Sequence, residues 1–164
     1  MRRGVRIAID VGTVRIGVAR SDPHGILASP VETVPRGDGD LARILAIVAE
    51  HEAIEVLIGL PVALSGRDTA STADARGMAE AVAERSGVPV RLVDERLTTV
   101  TAQGQLHASG RTTRGSRGMI DQVAAVIMLE HALETERRTG RPAGVSAGGG
   151  AGPDEDVRAQ TDEP

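Results

Sequence analysis

A chain of 164 residues without Phe, Tyr or Trp must build its core from Val, Ile, Leu, Ala and four Met, and it cannot grip single strands by stacking bases on rings. It also lacks Cys, which excludes a disulfide framework, a thiolate nucleophile and a Cys-bound zinc, and is compatible with a reducing cytoplasm. With a net charge of −4, no signal-peptide core and no apolar run of membrane-spanning length, the expectation is one cytoplasmic domain whose partners depend on local charge, not on the total.

All 19 basic residues are Arg, which suits bidentate phosphate contacts. The stretch from Arg141 onward holds two Arg against five acids, so residues 1–140 are near neutral. Any nucleic-acid contact must then run through phosphates, groove shape and Arg.

In chain order, Val5, Ile7, Ile9 and Val11 alternate with Arg6, Ala8 and Asp10, the period of a strand. Gly12-Thr13 breaks that run, and Ile16 and Val18 continue the alternation in a second strand. A third strand is expected from Ile26 to Val34, after the turn Asp22-Pro23-His24-Gly25. Three sequential strands with short turns read as an antiparallel meander. Leu41, Ile44, Leu45 and Val48 then mark one face of a helix reaching about Glu52, and AIEVLIGL (Ala53–Leu60) is a short aliphatic strand. Strand, helix, strand implies a crossover with parallel pairing.

An Ala-rich helix is expected from Asp68 to Arg85, with Met78, Ala81 and Val82 inward and Gly87 at its end. VPVRLV (Val88–Val93) forms the fifth strand, and residues 98–108 are a weaker helix. A Gly- and Arg-rich loop, Gly110–Gly118, precedes the strongest helix, about Arg117 to Arg138, with Ile120, Val123, Ala124, Ile127 and His131 on one side, widened by Met119, Val126 and Leu133. Beyond Gly140 the composition turns to Gly, Ala, Pro and acid. The domain is therefore read as 1–140, and 141–164 as a disordered tail. The pattern specifies an α/β sheet with mixed pairing.

Three acidic positions carry the chemistry. Asp10 closes an aliphatic strand, where a carboxylate emerges at the sheet rim and wants a cation. Asp94 and Glu95 follow the fifth strand; as neighbours they point to opposite sides, and spacing leaves open which one faces Asp10. Asp121 lies near the start of the last long helix, in line with Ala124, Ala125 and Met128. Sites in open α/β sheets gather outside the carboxyl ends of strands. Hard oxygen ligands without Cys or clustered His suit Mg²⁺ or Mn²⁺, and two such ions about 3.5–4 Å apart can hydrolyse a phosphodiester. Taken singly, each acid also has an ordinary role: turn former at Asp10, ion-pair partner at Glu95, helix-start residue at Asp121. His24, His51, His107 and His131 are scattered without ligand spacing.

Read together, IDVGTVRIGVARSD (Ile9–Asp22), IGLPVALSGR (Ile58–Arg67), DERLTT (Asp94–Thr99) and IDQVAAVIML (Ile120–Leu129) resemble the YqgF/RuvX family, over about residues 5–135 and in order. These bacterial proteins are related to Holliday-junction resolvases and described as pre-16S ribosomal RNA nucleases. The resemblance implies an RNase H-like fold: a five-stranded mixed sheet, its first three strands antiparallel, flanked by helices. It implies a two-metal nuclease site using Mg²⁺ or Mn²⁺ on Asp10, Glu95 and Asp121, and so selects Glu95 over Asp94. Arg15, Arg96, Thr99, Arg114 and Arg117 become phosphate or scaffold groups, and Gly59, Pro61 and Gly66 match a glycine loop. Gln103, where many members have Glu, Arg114 and Arg117, where others often have Lys, and the lack of aromatics are departures.

The implied partners are pre-ribosomal RNA or branched DNA, and ribosomal precursor particles, with no membrane; monomer and dimer both stay open. The competing readings are a Holliday-junction resolvase-like DNA nuclease, a ribosome-maturation factor that binds nucleic acid without cleaving it, and an ATP-using phosphotransferase suggested by DVGTVRIGVA (Asp10–Ala19). The last needs two such domains around a cleft, more than 164 residues supply.

Overall fold

The computed structural model describes residues 1–61, 65, 67–94 and 117–147, with residues 117–121 described by backbone alone. Strands β1 (Arg6–Val11), β2 (Arg15–Ser21) and β3 (Ala28–Pro35) come first, then helix α1 (Asp40–Glu50), strand β4 (Glu55–Leu60), helix α2 (Ala70–Ser86) and strand β5 (Val90–Asp94). Helix α3 (Arg117–Thr139) and a short strand β6 (Val145–Ser146) follow. The weak helix expected at 98–108 and the loop around Arg111 and Arg114 lie outside the described residues.

The sheet order is β3-β2-β1-β4-β5-β6. β1–β2 and β2–β3 pair antiparallel, as the meander requires, and β1–β4 and β4–β5 pair parallel, as the crossovers require. β3 begins later than expected: Ile26 and Leu27 sit exposed in the turn, because the Asp22 carboxylate accepts the amides of both, at 2.7 and 2.8 Å. Those bonds hold Asp22 below the usual carboxylate range against the cost of desolvation. Pro30 lies at the register shift opposite Val18/Ala19, on an edge strand where a missing amide costs least.

Alternation splits the core between the two faces. Ile7, Ile9, Val11, Ile16, Val18, Val56, Ile58, Val90 and Leu92 pack under α1 and α2. Ala8, Ala19 and Leu57 face α3, which covers them with Ala125, Met128, Leu129, Ala132 and Leu133. Of the expected stripe Ile127 and Leu133 are buried, Val123, Ala124 and Val126 are half-buried, and His131 is exposed. Ala125 and Ala132 let the helix rest close on Ala8 and Ala19. On α2 the inward side is Thr72, Ala75, Met78, Ala79 and Val82; Ala81 is half-buried.

The sheet has six strands, not five. β6 comes from the stretch whose composition read as tail and pairs antiparallel with β5, Arg91 opposite Ser146 and Leu92 opposite Val145. The buried Arg91 donates Nε to the Ala143 carbonyl (2.7 Å) and Nη2 to that of Gly144 (2.6 Å). Gly144 has a positive φ of 79°, and a Cβ there would run into the Leu92 carbonyl. Gly144→Val is therefore expected to detach β6 and cost about 1–3 kcal/mol, measured by urea unfolding. An unchanged midpoint would count against the docking. Residues 148–164 lie outside the described residues. Among the described residues no helix is long and apolar enough to cross a membrane.

Candidate active site

β1, β4 and β5 run parallel, so their carboxyl ends leave the same edge of the sheet. Ile9, Ile58 and Leu92 form one row across them; Asp10, Gly59 and Val93 come one residue later. Asp10 shares the parity of Ala8 and so stands on the α3 face, half-buried. Among the described residues its carboxylate has no hydrogen-bond or ion-pair partner. A partly desolvated carboxylate without a protein cation fits a metal ligand.

Across the antiparallel pairs the same row continues as Asp10–Gly17–Thr33. Gly17, buried and without a side chain, lies directly opposite Asp10. Thr33 accepts a hydrogen bond at 2.8 Å from Gln122 Nε2, in the early turns of α3. This bond seats the start of the helix over the row that contains Asp10. Gln122 was not singled out in the sequence; its neighbour Asp121 drew attention, but no periodicity links position 122 to Thr33.

Beyond Asp10 the chain turns sharply. The Gly12 amide donates to the Arg15 carbonyl at 2.8 Å, and a Cβ on Gly12 would approach that oxygen to 2.6 Å, so the turn accepts only glycine without shifting. Arg15 opens β2 on the same rim as Asp10, half-buried. Gly59 precedes Leu60, the last residue of β4, and the Pro61 carbonyl accepts the Thr72 hydroxyl of α2. Arg36, also missed, follows β3. Its amide donates to the Val14 carbonyl (2.9 Å) and its Nη1 to the Gly12 carbonyl (2.9 Å). Its guanidinium pairs with Asp74 of α2 (2.6 and 2.9 Å) and Asp40 (3.2 Å), and the Arg36 hydrogen bond holds Asp74 below the ordinary carboxylate range despite some desolvation.

Of the other expected site residues, Glu95, Arg96, Thr99, Arg114 and Gly66 lie outside the described residues, and Asp121 and Arg117 are placed by backbone alone, in the first two turns of α3. Glu95 immediately follows the last residue of β5, Asp94. Among the described residues no three His, Cys, Asp or Glu side chains cluster as a ready-made metal site.

A mixed sheet with an antiparallel meander, parallel crossovers and a long helix over one face is the architecture of RuvC from T. thermophilus in complex with a Holliday junction substrate. That chain superposes with a TM-score of 0.56 at 17% identity over 85% of this chain and 99% of its own. A second T. thermophilus RuvC structure gives 0.51. The fold is thus the RNase H-like one of RuvC. The model of the RuvX family, described as Holliday junction resolvase, matches residues 4–135, and the chain belongs to that family. A relative from Clavibacter michiganensis subsp. michiganensis (strain NCPPB 382), named "Putative pre-16S rRNA nuclease", is 61% identical over 88% of this chain and 91% of its own. Relatives of the same name from Leifsonia xyli subsp. xyli (strain CTCB07) and Thermobifida fusca (strain YX) are 58% and 55% identical, each over 88% of this chain and 94% and 96% of their own.

Proposed function

We propose that this chain is a divalent-metal-dependent endonuclease that hydrolyses phosphodiester bonds in structured nucleic acid, with the precursor of 16S ribosomal RNA as its substrate and the cytoplasm as its place of work. The observation that carries the reading is the common edge: the carboxyl ends of β1 and β5 leave the same edge of the sheet on either side of β4, and the Gln122–Thr33 bond brings the start of α3 over the same row. Membership of the RuvX family and the name its relatives carry supply the substrate class.

Asp10, Glu95 and Asp121 are the proposed ligands. Two strand spacings separate β1 from β5, about 10 Å between backbones, a gap that facing carboxylates and ions can fill. Asp94 has the parity of Val90 and Leu92, the side packed under α1 and α2 and away from Asp10, and this favours Glu95, the next residue, as the family resemblance does. Helical spacing aligns position 121 with Ala125 and Met128, the part of α3 that packs on the sheet. Mg²⁺ or Mn²⁺, when bound, supplies an activated water and a counter-charge for the leaving oxygen. The carboxylates fix where that chemistry occurs. Arg15 on the rim, with Arg96, Arg114 and Arg117, holds the phosphate in line, and Thr99 supports them. The products are a 5′-phosphate and a 3′-hydroxyl.

The test is a cleavage panel: precursor ribosomal RNA, free and in precursor particles, a four-way DNA junction, and single strands, each with Mg²⁺, Mn²⁺ or EDTA. Cleavage of the RNA precursor that stops in EDTA is expected. Cleavage that persists in EDTA would overturn the metal-dependent reading. The family description and the RuvC fold favour one second reading, resolution of branched DNA, and preference for the junction would establish it.

A further inference from the structure

The β1–β2 turn is fastened to the amino-terminal end of α2 by contacts that the nuclease reading does not use. Arg36 reaches the turn twice, through its amide to the Val14 carbonyl and through Nη1 to the Gly12 carbonyl. The same Nη1, with Nη2, is gripped by both carboxylate oxygens of Asp74, at 2.6 and 2.9 Å. Two residues earlier on α2, the buried Thr72 donates its hydroxyl to the Pro61 carbonyl, just past β4. Thr69 and Thr72 also cap each other's amides, so this end of the helix is itself rigid. One helix start therefore holds the exits of two adjacent parallel strands, one of them two residues beyond Asp10.

We infer that Asp74 is a positioning residue: by orienting Arg36 on the Gly12 carbonyl it fixes the turn that sets where the Asp10 backbone ends. The inference rests on Asp10 being a ligand of the proposed site, but the clamp itself is observable without activity. A guanidinium has one planar fork, and a bidentate carboxylate sets its plane. Without Asp74, Asp40 still contacts Nε at 3.2 Å, yet among the described residues no other side chain defines the direction of Nη1 toward Gly12. The Arg36–Asp74 pair is only partly exposed, 22% and 37% at the side chains, so it orders more than a fully solvated pair would.

The test compares wild type with Asp74→Asn and Asp74→Glu by two readouts on the full chain. The first is hydrogen exchange at the Gly12 and Arg36 amides, the two that close the turn. Asp74→Asn is expected to speed both at least about 10-fold relative to β1 core amides, and Asp74→Glu to recover protection. The second is steady-state cleavage. A displaced ligand lowers kcat by about 10- to 100-fold with KM within about 3-fold, and Asp74→Glu restores most of it. Unchanged exchange at Gly12 and Arg36 overturns the inference, whatever kcat does. So does a kcat within about 2-fold of wild type alongside faster exchange, since the turn would then move without consequence. A wild type that cleaves nothing would instead refute the nuclease reading, and the exchange data would still decide whether Asp74 holds the turn.

Discussion

Asp10→Asn is expected to reduce metal-dependent cleavage by more than about 100-fold while leaving the melting temperature within about 2 °C of wild type. The loss follows from charge. Outer-shell partners of metal ligands are already worth about 10- to 100-fold, so a direct ligand exceeds that range. An amide keeps one carbonyl oxygen but gives up the negative charge that binds Mg²⁺ or Mn²⁺. The neutral effect on folding follows from the surroundings. Among the described residues Asp10 makes no hydrogen bond or ion pair, and substitutions that touch no such feature stay within about 0.5 kcal/mol. Cleavage rates and thermal melts on the same preparation separate the two. A variant that still cleaves within a few-fold of wild type would remove Asp10 from the site; one that melts far lower would make it a structural residue.

Glu136→Ala is expected to cost about 3–5 kcal/mol, a fall of about 6–20 °C in melting temperature for a chain of this size. Glu136, 4% exposed, lies near the end of α3 and receives Arg2 Nε at 2.8 Å and Arg6 Nη2 at 3.2 Å. Arg6 is 1% exposed; among the described residues its remaining donors reach the Gly4 and Arg2 carbonyls and its Nε has no partner. Arg2 also bridges to the buried Glu55 at 3.1 Å. Truncating Glu136 leaves the Arg6 charge buried and uncompensated, which costs far more than the pair is worth. Replacing both, as Arg6→Leu with Glu136→Met, should recover most of the loss, and a double-mutant cycle by urea unfolding measures the coupling. If the single variant lost less than about 1 kcal/mol, the pair would not be the fastening it resembles.

The same carboxylate sets a pH dependence. Burial pushes Glu136 up, but the Arg2 hydrogen bonds and the charges of Arg2 and Arg6 outweigh it and hold the group below its ordinary value. A depressed carboxylate contributes stability that is fully present above the unfolded value, about 4.3, and is lost as pH falls through the folded one. Asp22, Glu32 and Asp74 are shifted in the same direction, so acid denaturation should begin below about pH 5 and be blunted in Glu136→Gln.

Much of this molecule follows from local order in the chain. The period-2 runs from Val5 and Ile16 gave β1 and β2, the aliphatic run before Gly59 gave β4, and the i, i+3, i+4 spacing after Asp40 gave α1, because alternation and helical spacing are imposed by backbone geometry alone. The rim placement of Asp10 was legible for the same reason: a carboxylate ending an aliphatic strand has few other places to go.

What composition hid was decided by partners far away in the chain. Arg141–Gly144 reads as tail, yet Gly144 is the residue that can pass beside Leu92, and Arg91, more than 50 positions earlier, supplies the donors that hold β6. His131 reads as part of an inward stripe, yet it is exposed, and Ala8 and Ala19 of the sheet take the Ala125–Ala132 side of the helix. Gln122 on Thr33 and Asp74 through Arg36 on Gly12 are likewise invisible to any spacing rule. Periodicity states which side of an element is apolar, but side-chain volume and hydrogen-bond satisfaction are properties of two surfaces at once. They are settled only when the second surface arrives.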